Sequence, residues 1–475
     1  MSAPLKTDNP MLNGPFEPIQ MECDAPDLYV EGEIPQDLCG SFYRCGPNVQ
    51  FAPRDQEAHH LFGGDGMVHG FHIKNGRVRY NNRWVRTTKW KVEHDVGRNV
   101  YNAMNPMDCE PEYSDIIFTD KDGLANTSPV WHAGKLLITE ETHLPIAVDP
   151  DTLETKGAWD FFGKVRTAMT AHPKKDPETG ELFLFAYMSR DLFSPDVTVY
   201  TVNKEGHCTQ SVSIDTPYPA MIHDFVVTEN YIMVPLMPLT ASMERAMGGL
   251  PPIAWEPDKP TQIAIIPRKN AKPEDVRWIE SDTRFVFHFM NGFEKDGVLT
   301  YDLCEFERAP LFPDADGTEG ENLDAKLHRW TIDLNDPNAR LQSQCINELP
   351  SEFPQIDPRY AGSDYRYGVF ITPEDPDVDE AFYNALCRYD HKTGEVERYN
   401  FGPGRVTTEA IFVPRSETAP EGDGYILSVV YNPDKNASEL DIFDSQSVSK
   451  GPIAVAKLSH RVPLGFHGGW KPGNE

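Results

Sequence analysis

Short runs of β-branched and aromatic residues recur along the whole 475-residue chain, separated by turn-forming segments. Examples are GFHIKNGRVRYNNRWVRT (70–87), VTVYTVNKEGHCTQSVSI (197–214) and GYILSVVYNP (424–433). The dipeptide Asn75-Gly76 between two such runs is a strong hairpin signal, because both residues tolerate the positive φ of a two-residue turn. The 34 glycines and 41 prolines are spread throughout and do not gather in one linker. The pattern therefore predicts an all-β protein of many short strands.

The length of the chain decides among the all-β architectures. A single sandwich core stops enlarging near ~250–300 residues, whereas a propeller grows by repeating blades around an axis. No break in composition separates one part of the sequence from another. We therefore predict one β-propeller domain over residues 1–475. The best candidate for an amphipathic helix is PLTASMERAMGGL (238–250).

The charge balance excludes several classes of function. The chain has 44 Lys+Arg against 74 Asp+Glu, a formal net charge of −30. Such a surface repels a phosphate backbone, so nucleic acid is not an expected partner. No run of 18 apolar residues occurs, so contact with a membrane would be peripheral at most. The eight cysteines form no CxxC pair and the N-terminal residues show no secretory signal, which indicates a cytoplasmic protein.

Histidines are the main candidates for chemistry, and the chain has 15 of them. Four occur at what look like strand ends, in TAHPKKDP, AMIHDFVVTEN, FVFHFMNGF and PLGFHGGW. They are His172, His223, His288 and His467. If these strand ends converged on a propeller axis, the imidazoles would form an all-nitrogen metal site. Their separations of 51, 65 and 179 residues match no contiguous metal motif, so spacing alone does not select these four.

A series of motifs, in order along nearly the whole chain, resembles the carotenoid cleavage oxygenases, the family that also includes lignostilbene- and isoeugenol-cleaving enzymes. The segments are GEIPQDLCGSFYRCGPN (32–48), FGGDGMVHGFHI (62–73), LANTSPVWHAGKLL (124–137), DPDTLETKG, AHPKKDPETGELF, IHDFVVTENY, FVFHFMNGFE, EFPQIDPRYAG, EAIFVPRSETAPEGDGYILSVVY and VPLGFHGGW. The resemblance implies a seven-bladed β-propeller. It also implies a cap of loops and short helices that forms an apolar substrate tunnel.

The same resemblance implies a mononuclear non-haem Fe(II) centre on the propeller axis. The residues at the family's positions are His172, His223, His288 and His467 as ligands, Glu141, Glu352 and Glu409 as acceptors for the ligands' second N–H, and Thr127 beside the iron. Four neutral imidazoles suit a borderline divalent metal and leave two octahedral positions open for O₂. A carboxylate acceptor would fix the tautomer and orientation of a ligating histidine. The hydroxyl of Thr127 would steer O₂ or make a structural hydrogen bond.

The reaction that the resemblance implies is insertion of O₂ across a conjugated C=C bond to give two carbonyl products. Stilbenoid-cleaving members hold the substrate's phenolic hydroxyl with a tyrosine and a lysine. Ungapped alignment places Met104 and Glu140 at those positions, with Tyr101 three residues before Met104, while Phe62 matches a phenylalanine that packs on the substrate. These four are the expected substrate-binding residues. Because Glu140 supplies no positive charge and Met104 makes the pocket more apolar, we predict an apocarotenoid-like polyene as substrate.

Other functions remain open at this level. The first alternative is cleavage of a stilbenoid or phenylpropenoid alkene to aromatic aldehydes. A non-catalytic binding propeller would be expected to have lost a ligand histidine, and all four are present. An isomerising member of the family lacks the threonine beside the iron, which Thr127 supplies here. The sequence does not indicate an oligomeric state.

Overall fold

Strands make up most of the regular structure of the chain. The computed structural model describes residues 5, 7–105, 108–119, 122–321, 323–375 and 383–474. The first strands are β1 (Cys23–Ala25), β2 (Tyr29–Gly32), β3 (Gly40–Pro47), β4 (Gly66–Lys74), β5 (Arg77–Trp84), β6 (Ser128–His132), β7 (Lys135–Thr139), β8 (Ile146–Val148), β9 (Thr155–Ala158), β10 (Lys174–Lys175), β11 (Leu182–Tyr187), β12 (Asp196–Val202) and β13 (Cys208–Asp215). They are followed by β14 (Val226–Val227), β15 (Tyr231–Leu236), β16 (Leu239–Ala241), β17 (Ile253–Trp255), β18 (Thr261–Pro267), β19 (Arg277–Ser281), β20 (Phe285–Lys295), β21 (Val298–Phe306), β22 (Lys326–Asp333) and β23 (Gln342–Pro350). The last strands are β24 (Glu352–Ile356), β25 (Tyr367–Thr372), β26 (Ala385–Asp390), β27 (Val396–Asn400), β28 (Val406–Thr407), β29 (Ile411–Pro414), β30 (Gly424–Asn432), β31 (Ala437–Asp444), β32 (Ala454–Lys457) and β33 (Gly468–Pro472).

Helices are short and few in the described ranges. They are α1 (Thr88–Val96), α2 (Pro111–Thr119) and α3 (Met243–Met247), with 3-10 turns at Pro10–Leu12, Gly14–Phe16, Leu61–Gly63, Pro273–Asp275, Pro358–Tyr360 and Val448–Lys450. Within these ranges, no helix has the length and apolar character needed to cross a membrane.

Seven antiparallel sheets form the blades of a propeller, as the resemblance implies. Blade 1 has the order β1-β5-β4-β3-β33, so the last strand of the chain completes the first blade. Blades 2 to 6 are β6–β9, β10–β13, β14-β15-β18-β19, β20–β23 and β24–β27. Blade 7 has the order β2-β32-β31-β30, and both β28 and β29 pair with β30. Both chain ends therefore close the ring. The cap and tunnel stay a prediction.

Burial within a blade explains the pattern of apolar and polar residues along each strand. Every residue of β12 is buried, because the strand lies inside a sheet that is covered on both faces by neighbouring blades. The outermost strand of the same blade, β13, alternates between buried and exposed residues in its second half. Inner strands consequently read as continuous runs of Val, Ile, Phe and Tyr, while outer strands read as alternating patterns.

Apolar side chains fill the interfaces between blades. Seven clusters of buried residues lie one at each junction, for example Phe183 and Val199 of blade 3 against Phe225 and Ile232 of blade 4. This distribution lets the chain exceed the size of a single core, because each pair of neighbouring blades has an apolar cluster of its own.

Local turn predictions have mixed outcomes. The hairpin at Asn75-Gly76 is confirmed, since it joins β4 to β5 with φ of 53° and 71°. The predicted amphipathic helix over 238–250 is only partly right, because α3 covers five residues and Leu239–Ala241 pairs with Ile253–Trp255 as a strand. The reason is local: Ser242 is extended and its side chain caps α3, so the helix cannot begin earlier.

Candidate metal centre

The four predicted ligand histidines lie in, or just before, the innermost strands of four blades. His172, His223 and His467 come just before β10, β14 and β33, and His288 lies within β20. One ring nitrogen from each residue lies within 4.8 Å of the other three. Nε2 of His223 is 2.9 Å from Nε2 of His172 and 3.2 Å from Nε2 of His288. The fold thus brings together histidines that are far apart in sequence, with as many as 179 positions between one histidine and the next.

The three predicted glutamates come from the remaining three blades. Glu141 follows β7 in blade 2, Glu352 begins β24 in blade 6, and Glu409 lies between β28 and β29 in blade 7. With the histidines in blades 1, 3, 4 and 5, each blade contributes one of these seven side chains. The propeller axis is therefore the one place where all seven meet.

Each glutamate accepts a hydrogen bond from a different histidine. Glu141 pairs with Nδ1 of His223, Glu352 with Nδ1 of His288 at 2.5 Å, and Glu409 with Nδ1 of His467 at 3.0 Å. Among the described residues, His172 has no carboxylate within ion-pair distance, in contrast to the other three histidines. An Nδ1–H held by a carboxylate leaves the lone pair of the ring on Nε2.

The converging nitrogens fit a metal cation. In the neutral rings, Nε2 of His223 and Nε2 of His288 both carry lone pairs when both Nδ1 atoms donate to glutamates. Lone pairs that face each other at 3.2 Å repel unless a cation lies between them. An all-imidazole donor set suits borderline divalent metals such as iron, zinc, copper and nickel. The residues present therefore fit the metal that the resemblance implies.

Burial favours the neutral, metal-binding form of two of the imidazoles, those of His467 and His172. Burial lowers the pKa of His467 to about 4, although Glu409 acts in the opposite direction. Burial and the neighbouring imidazoles hold the pKa of His172 well below its ordinary value. At His288 burial is outweighed by the charge and hydrogen bond of Glu352, which raise the pKa. The site thus contains imidazoles of different basicity.

A further layer of contacts holds the glutamates, and sequence reasoning missed it. The Tyr187 hydroxyl donates to Glu141 at 2.7 Å, and Gln355 Nε2 donates to Glu409 at 2.6 Å. The buried guanidinium of Arg44 donates to the carbonyl of Gly465 at 2.8 Å and to that of Glu409 at 3.3 Å. Arg44 and Gln355 lie inside the matched motifs SFYRCGPN and EFPQIDPRYAG, and that location was the available signal.

Thr127 is held in a hydrogen-bond chain. Its hydroxyl donates to Oδ1 of Asn126 at 3.0 Å, and the Asn126 amide donates to the carbonyls of Phe62 and Gly64 at 2.9 and 2.8 Å. The structural hydrogen bond weighed for Thr127 is therefore present. A role in steering O₂ stays a prediction.

Phe62 belongs to an aromatic cluster with Phe312 and Phe466. Its ring centroid lies 5.5 Å from that of Phe466, edge to face, and 6.4 Å from that of Phe312. His60 packs against the same ring at 4.6 Å. Phe466 directly precedes His467 in the sequence, which connects this cluster to the segment that carries one of the four histidines.

The other three predicted substrate residues, Glu140, Tyr101 and Met104, have surroundings different from those of Phe62. Both carboxylate oxygens of Glu140 accept hydrogen bonds from the protein, from Ala125 N and Leu124 N on one side and from Thr142 and His143 on the other. A contact with substrate would compete with these bonds. Tyr101 lines a small cavity beside Gly63, and burial together with Glu140 raises its pKa to about 12. Met104 lies against Gly63 and is 37% exposed.

The histidines expected to be structural make hydrogen bonds elsewhere. His69 lies 2.7 Å from the Tyr80 hydroxyl, His72 2.9 Å from Ser41, and His132 3.3 Å from the Gly180 carbonyl. His60, one of the adjacent pair His59-His60, accepts the backbone N–H of Phe62 at the start of a 3-10 turn.

Comparisons with known proteins agree with this architecture. The family model described as "Retinal pigment epithelial membrane protein" matches residues 16–472. The chain is 36% identical over 483 residues to isoeugenol monooxygenase of Pseudomonas nitroreducens, covering 99% of each. The crystal structure of Pseudomonas brassicacearum lignostilbene dioxygenase superposes with a TM-score of 0.91 at 34% identity, covering 98% of this chain and 99% of that one. A cobalt-substituted Synechocystis apocarotenoid oxygenase superposes with a TM-score of 0.85 at 29% identity, covering 96% and 98%.

The match over most of the chain places this protein in the retinal pigment epithelial membrane protein family, the alkene-cleaving oxygenases that include the carotenoid cleavage oxygenases. It is an enzyme of the oxygenase class.

Proposed function

We propose that this chain is a non-haem Fe(II) oxygenase that cleaves the conjugated C=C bond of a stilbenoid or phenylpropenoid alkene to two carbonyl products, one of them an aromatic aldehyde. The observation that supports it most strongly is the convergence of imidazole nitrogens whose opposite ring nitrogens are held by three carboxylates. This arrangement turns the Nε2 atoms of those three rings toward one another, where a metal ion would take up their lone pairs.

His172, His223, His288 and His467 would hold the iron, and Glu141, Glu352 and Glu409 would fix the orientation of three of the rings. The iron, when bound, would supply the position at which O₂ is activated. One alkene and one O₂ balance two carbonyl products, so the reaction needs no reductant. The chain's own task is to orient the alkene and to exclude water.

The proposed substrate differs from the polyene that the sequence favours. Relatives over the full length are named for isoeugenol and lignostilbene, and they support the aromatic alternative better than the polyene. The cluster of Phe62, Phe312 and Phe466 offers ring faces and edges against which an aromatic ring would pack. An apocarotenoid-like polyene is the second candidate.

Two further residues would shape recognition of a substrate hydroxyl. Tyr101, whose pKa is raised to about 12, would remain a neutral phenol at working pH. The buried carboxylate of Glu140 nearby would disfavour a phenolate, so we propose that a phenolic substrate binds in its neutral form. Phe62 would contact the substrate ring, and Met104 would border the same region.

The test is a substrate screen of protein loaded anaerobically with ferrous iron and then exposed to air. Isoeugenol, a hydroxystilbene and an apocarotenal are incubated separately, and products are identified by mass spectrometry. We expect aromatic aldehydes from the first two substrates and much slower cleavage of the third. Cleavage of the apocarotenal alone would overturn the proposed substrate class.

The control is a pair of buried histidines. His223→Ala should abolish iron binding and cleavage, because it removes a proposed ligand. His391→Ala removes a buried histidine that contacts Asp302 and Arg329, outside the four-histidine group, and should leave iron content unchanged. Equal iron content in the two variants would remove His223 from the proposed ligands.

A further inference from the structure

We propose that Asp224 is a positioning residue for the metal centre, because its one carboxylate links the three strands that present His172, His223 and His288. The identity of the metal rests on the proposed function, whereas the links themselves are geometric. Asp224 directly follows His223 and is 1% exposed.

Three donors converge on this carboxylate. Nζ of Lys174 lies 2.6 Å from Oδ1, and Lys174 is two residues after His172. The backbone N–H of Phe289 donates to Oδ2 at 2.9 Å, and Phe289 is the residue after His288. The N–H of Phe225 donates to Oδ1 at 2.8 Å. One side chain therefore connects the neighbourhoods of three proposed ligands in blades 3, 4 and 5.

The strand that bears His288 shows why such a link is needed. The pairing of β20 with β21 is irregular on both sides of Phe289, between Val286 and Asn291. Irregular pairing re-aims side chains, and it is frequent beside functional sites. Here it turns the Phe289 N–H toward Asp224, so the carboxylate satisfies a donor of the strand that His288 occupies.

Apolar packing between the blades cannot provide the same restraint. The junctions of blades 3, 4 and 5 are filled by side chains such as Phe185, Phe225 and Val286. Hydrophobic burial is non-directional, so it leaves small sliding movements between strands inexpensive. Hydrogen bonds to one buried carboxylate depend on distance and angle, and they restrict those movements.

The charge on Asp224 makes its replacement by asparagine informative. The buried carboxylate is paired with the Lys174 ammonium, as a buried charge requires. An asparagine at this position keeps the shape but has one acceptor oxygen, so its NH₂ must face either Lys174 or the Phe289 N–H. One of the two links is therefore lost or becomes repulsive in Asp224→Asn.

Asp302 offers a matched control in the neighbouring strand β21. It is 0% exposed and holds Arg329 with two contacts of 2.8 and 2.9 Å, and it accepts the Tyr365 hydroxyl at 2.7 Å. Neither of these two partners is within two residues of a proposed ligand. Asp302→Asn thus removes a buried ion pair of the same kind whose side-chain partners lie outside the strands that present the four histidines, although β21 itself pairs with β20.

The experiment compares wild type, Asp224→Asn, Asp302→Asn and Lys174→Met in three measurements: anaerobic Fe²⁺ affinity, the visible spectrum of the Co²⁺-substituted protein, and urea unfolding of the metal-free protein. We expect Asp224→Asn to lower Fe²⁺ affinity by ~10–100-fold, the size of effect typical for outer residues of a metal site, and to shift the Co²⁺ spectrum. Asp302→Asn should reduce stability and leave both metal measurements unchanged.

Wild-type affinity and spectrum in Asp224→Asn would overturn the proposal. If that variant does not fold, Lys174→Met decides, since it breaks only the link to the strand of His172: a shifted Co²⁺ spectrum supports the positioning role and an unchanged spectrum overturns it. A wild-type protein that binds neither Fe²⁺ nor Co²⁺ would contradict the proposed function. Failure of the proposed function is thus distinguishable from failure of the positioning role of Asp224, which shows only in the variants.

Discussion

At the scale of single residues, the glutamates of the candidate metal centre differ in how many of their carboxylate oxygens accept hydrogen bonds. Glu409 employs both oxygens, accepting from His467 and Gln355 on Oε1 and from the Gly468 N–H on Oε2. Glu352 employs Oε2 for His288 and the Phe353 N–H, while Oε1 has no hydrogen-bond partner among the residues that the structure describes. The two acids should therefore respond differently to the same substitution.

Glu409→Gln should weaken Fe²⁺ binding more than Glu352→Gln does. A glutamine at 352 can keep its oxygen toward His288 and direct its NH₂ to the side without a partner, whereas a glutamine at 409 must set its NH₂ against a donor. Within the ~10–100-fold range for outer ligand contacts, we expect the lower end for residue 352 and the upper end for residue 409. Anaerobic Fe²⁺ titration checks the order, and equal or reversed losses would contradict it.

A second residue-scale prediction concerns Asp441, a buried carboxyl in blade 7 whose protonation affects the stability of the fold. Burial and then the charge of Glu439 raise its pKa to about 8 from 3.8, while Arg405 and Lys457 act in the opposite direction. Arg405 is paired with Glu439, and within the described part of the chain Asp441 Oδ1 has no hydrogen-bond partner.

Because the folded state holds this proton more tightly than the unfolded state, the contribution of Asp441 to stability falls as pH rises from about 4 to about 8. Asp441→Asn removes that dependence. The variant should gain stability relative to wild type at pH 8, and the gain should shrink at pH 5, as measured by urea unfolding. A pH-independent difference between the two proteins would show that Asp441 does not titrate in this range.

Some of these residues could be predicted from the sequence and others could not. Neither composition nor spacing separates the four central histidines from the other eleven, and only the ordered motifs do so. The hydrogen bonds of Glu140 to the backbone of residues 124 and 125 depend on how two loops meet, which no local pattern encodes. The same holds for Tyr187, which reaches Glu141 from another blade.

At the scale of elements, strand β33 closes the ring and also brings His467 to the axis. It pairs with β3 in blade 1 and lies against β6 of blade 2 and β29 of blade 7. Its glycines permit this close approach, since a Cβ at residue 469 would lie 2.2 Å from the carbonyl oxygen of Pro129 in β6.

Gly469→Ala should therefore destabilise the protein by about 1–3 kcal/mol, the usual cost of overpacking a well-filled contact. Gly248→Ala is the control, because a Cβ there meets its nearest atom at 3.3 Å at the end of α3. Urea unfolding of both variants measures the difference. Equal stability would mean that β33 and β6 separate at little cost.

Elements were the most predictable level of this fold. The hairpin at Asn75-Gly76 follows from the φ values that two residues tolerate. The segment 238–250 was harder, because its strand Leu239–Ala241 exists through pairing with Ile253–Trp255 and not through its own sequence. Where the short helix of this segment begins therefore depends on strand pairing with residues more distant in sequence.

At the scale of the whole molecule, seven junctions of similar construction surround one axis. Each junction is apolar, while the axis gathers four histidines and three glutamates from seven blades. The proposed divalent iron with three carboxylates would leave a net charge of −1 among these groups, and the buried Arg44 beside Glu409 would bring the local sum to zero. The closed ring would thus place a compensated charge cluster in an apolar protein interior, which is the condition under which buried charges are tolerated.

The most direct test of this account is a crystal structure of the protein loaded anaerobically with ferrous iron, with anomalous scattering recorded at the iron edge. The account predicts one iron peak at the axis, bonded to a ring nitrogen of each of His172, His223, His288 and His467, with the three glutamates in contact only with Nδ1 atoms. An iron bonded to a carboxylate, or located away from the four histidines, would contradict it.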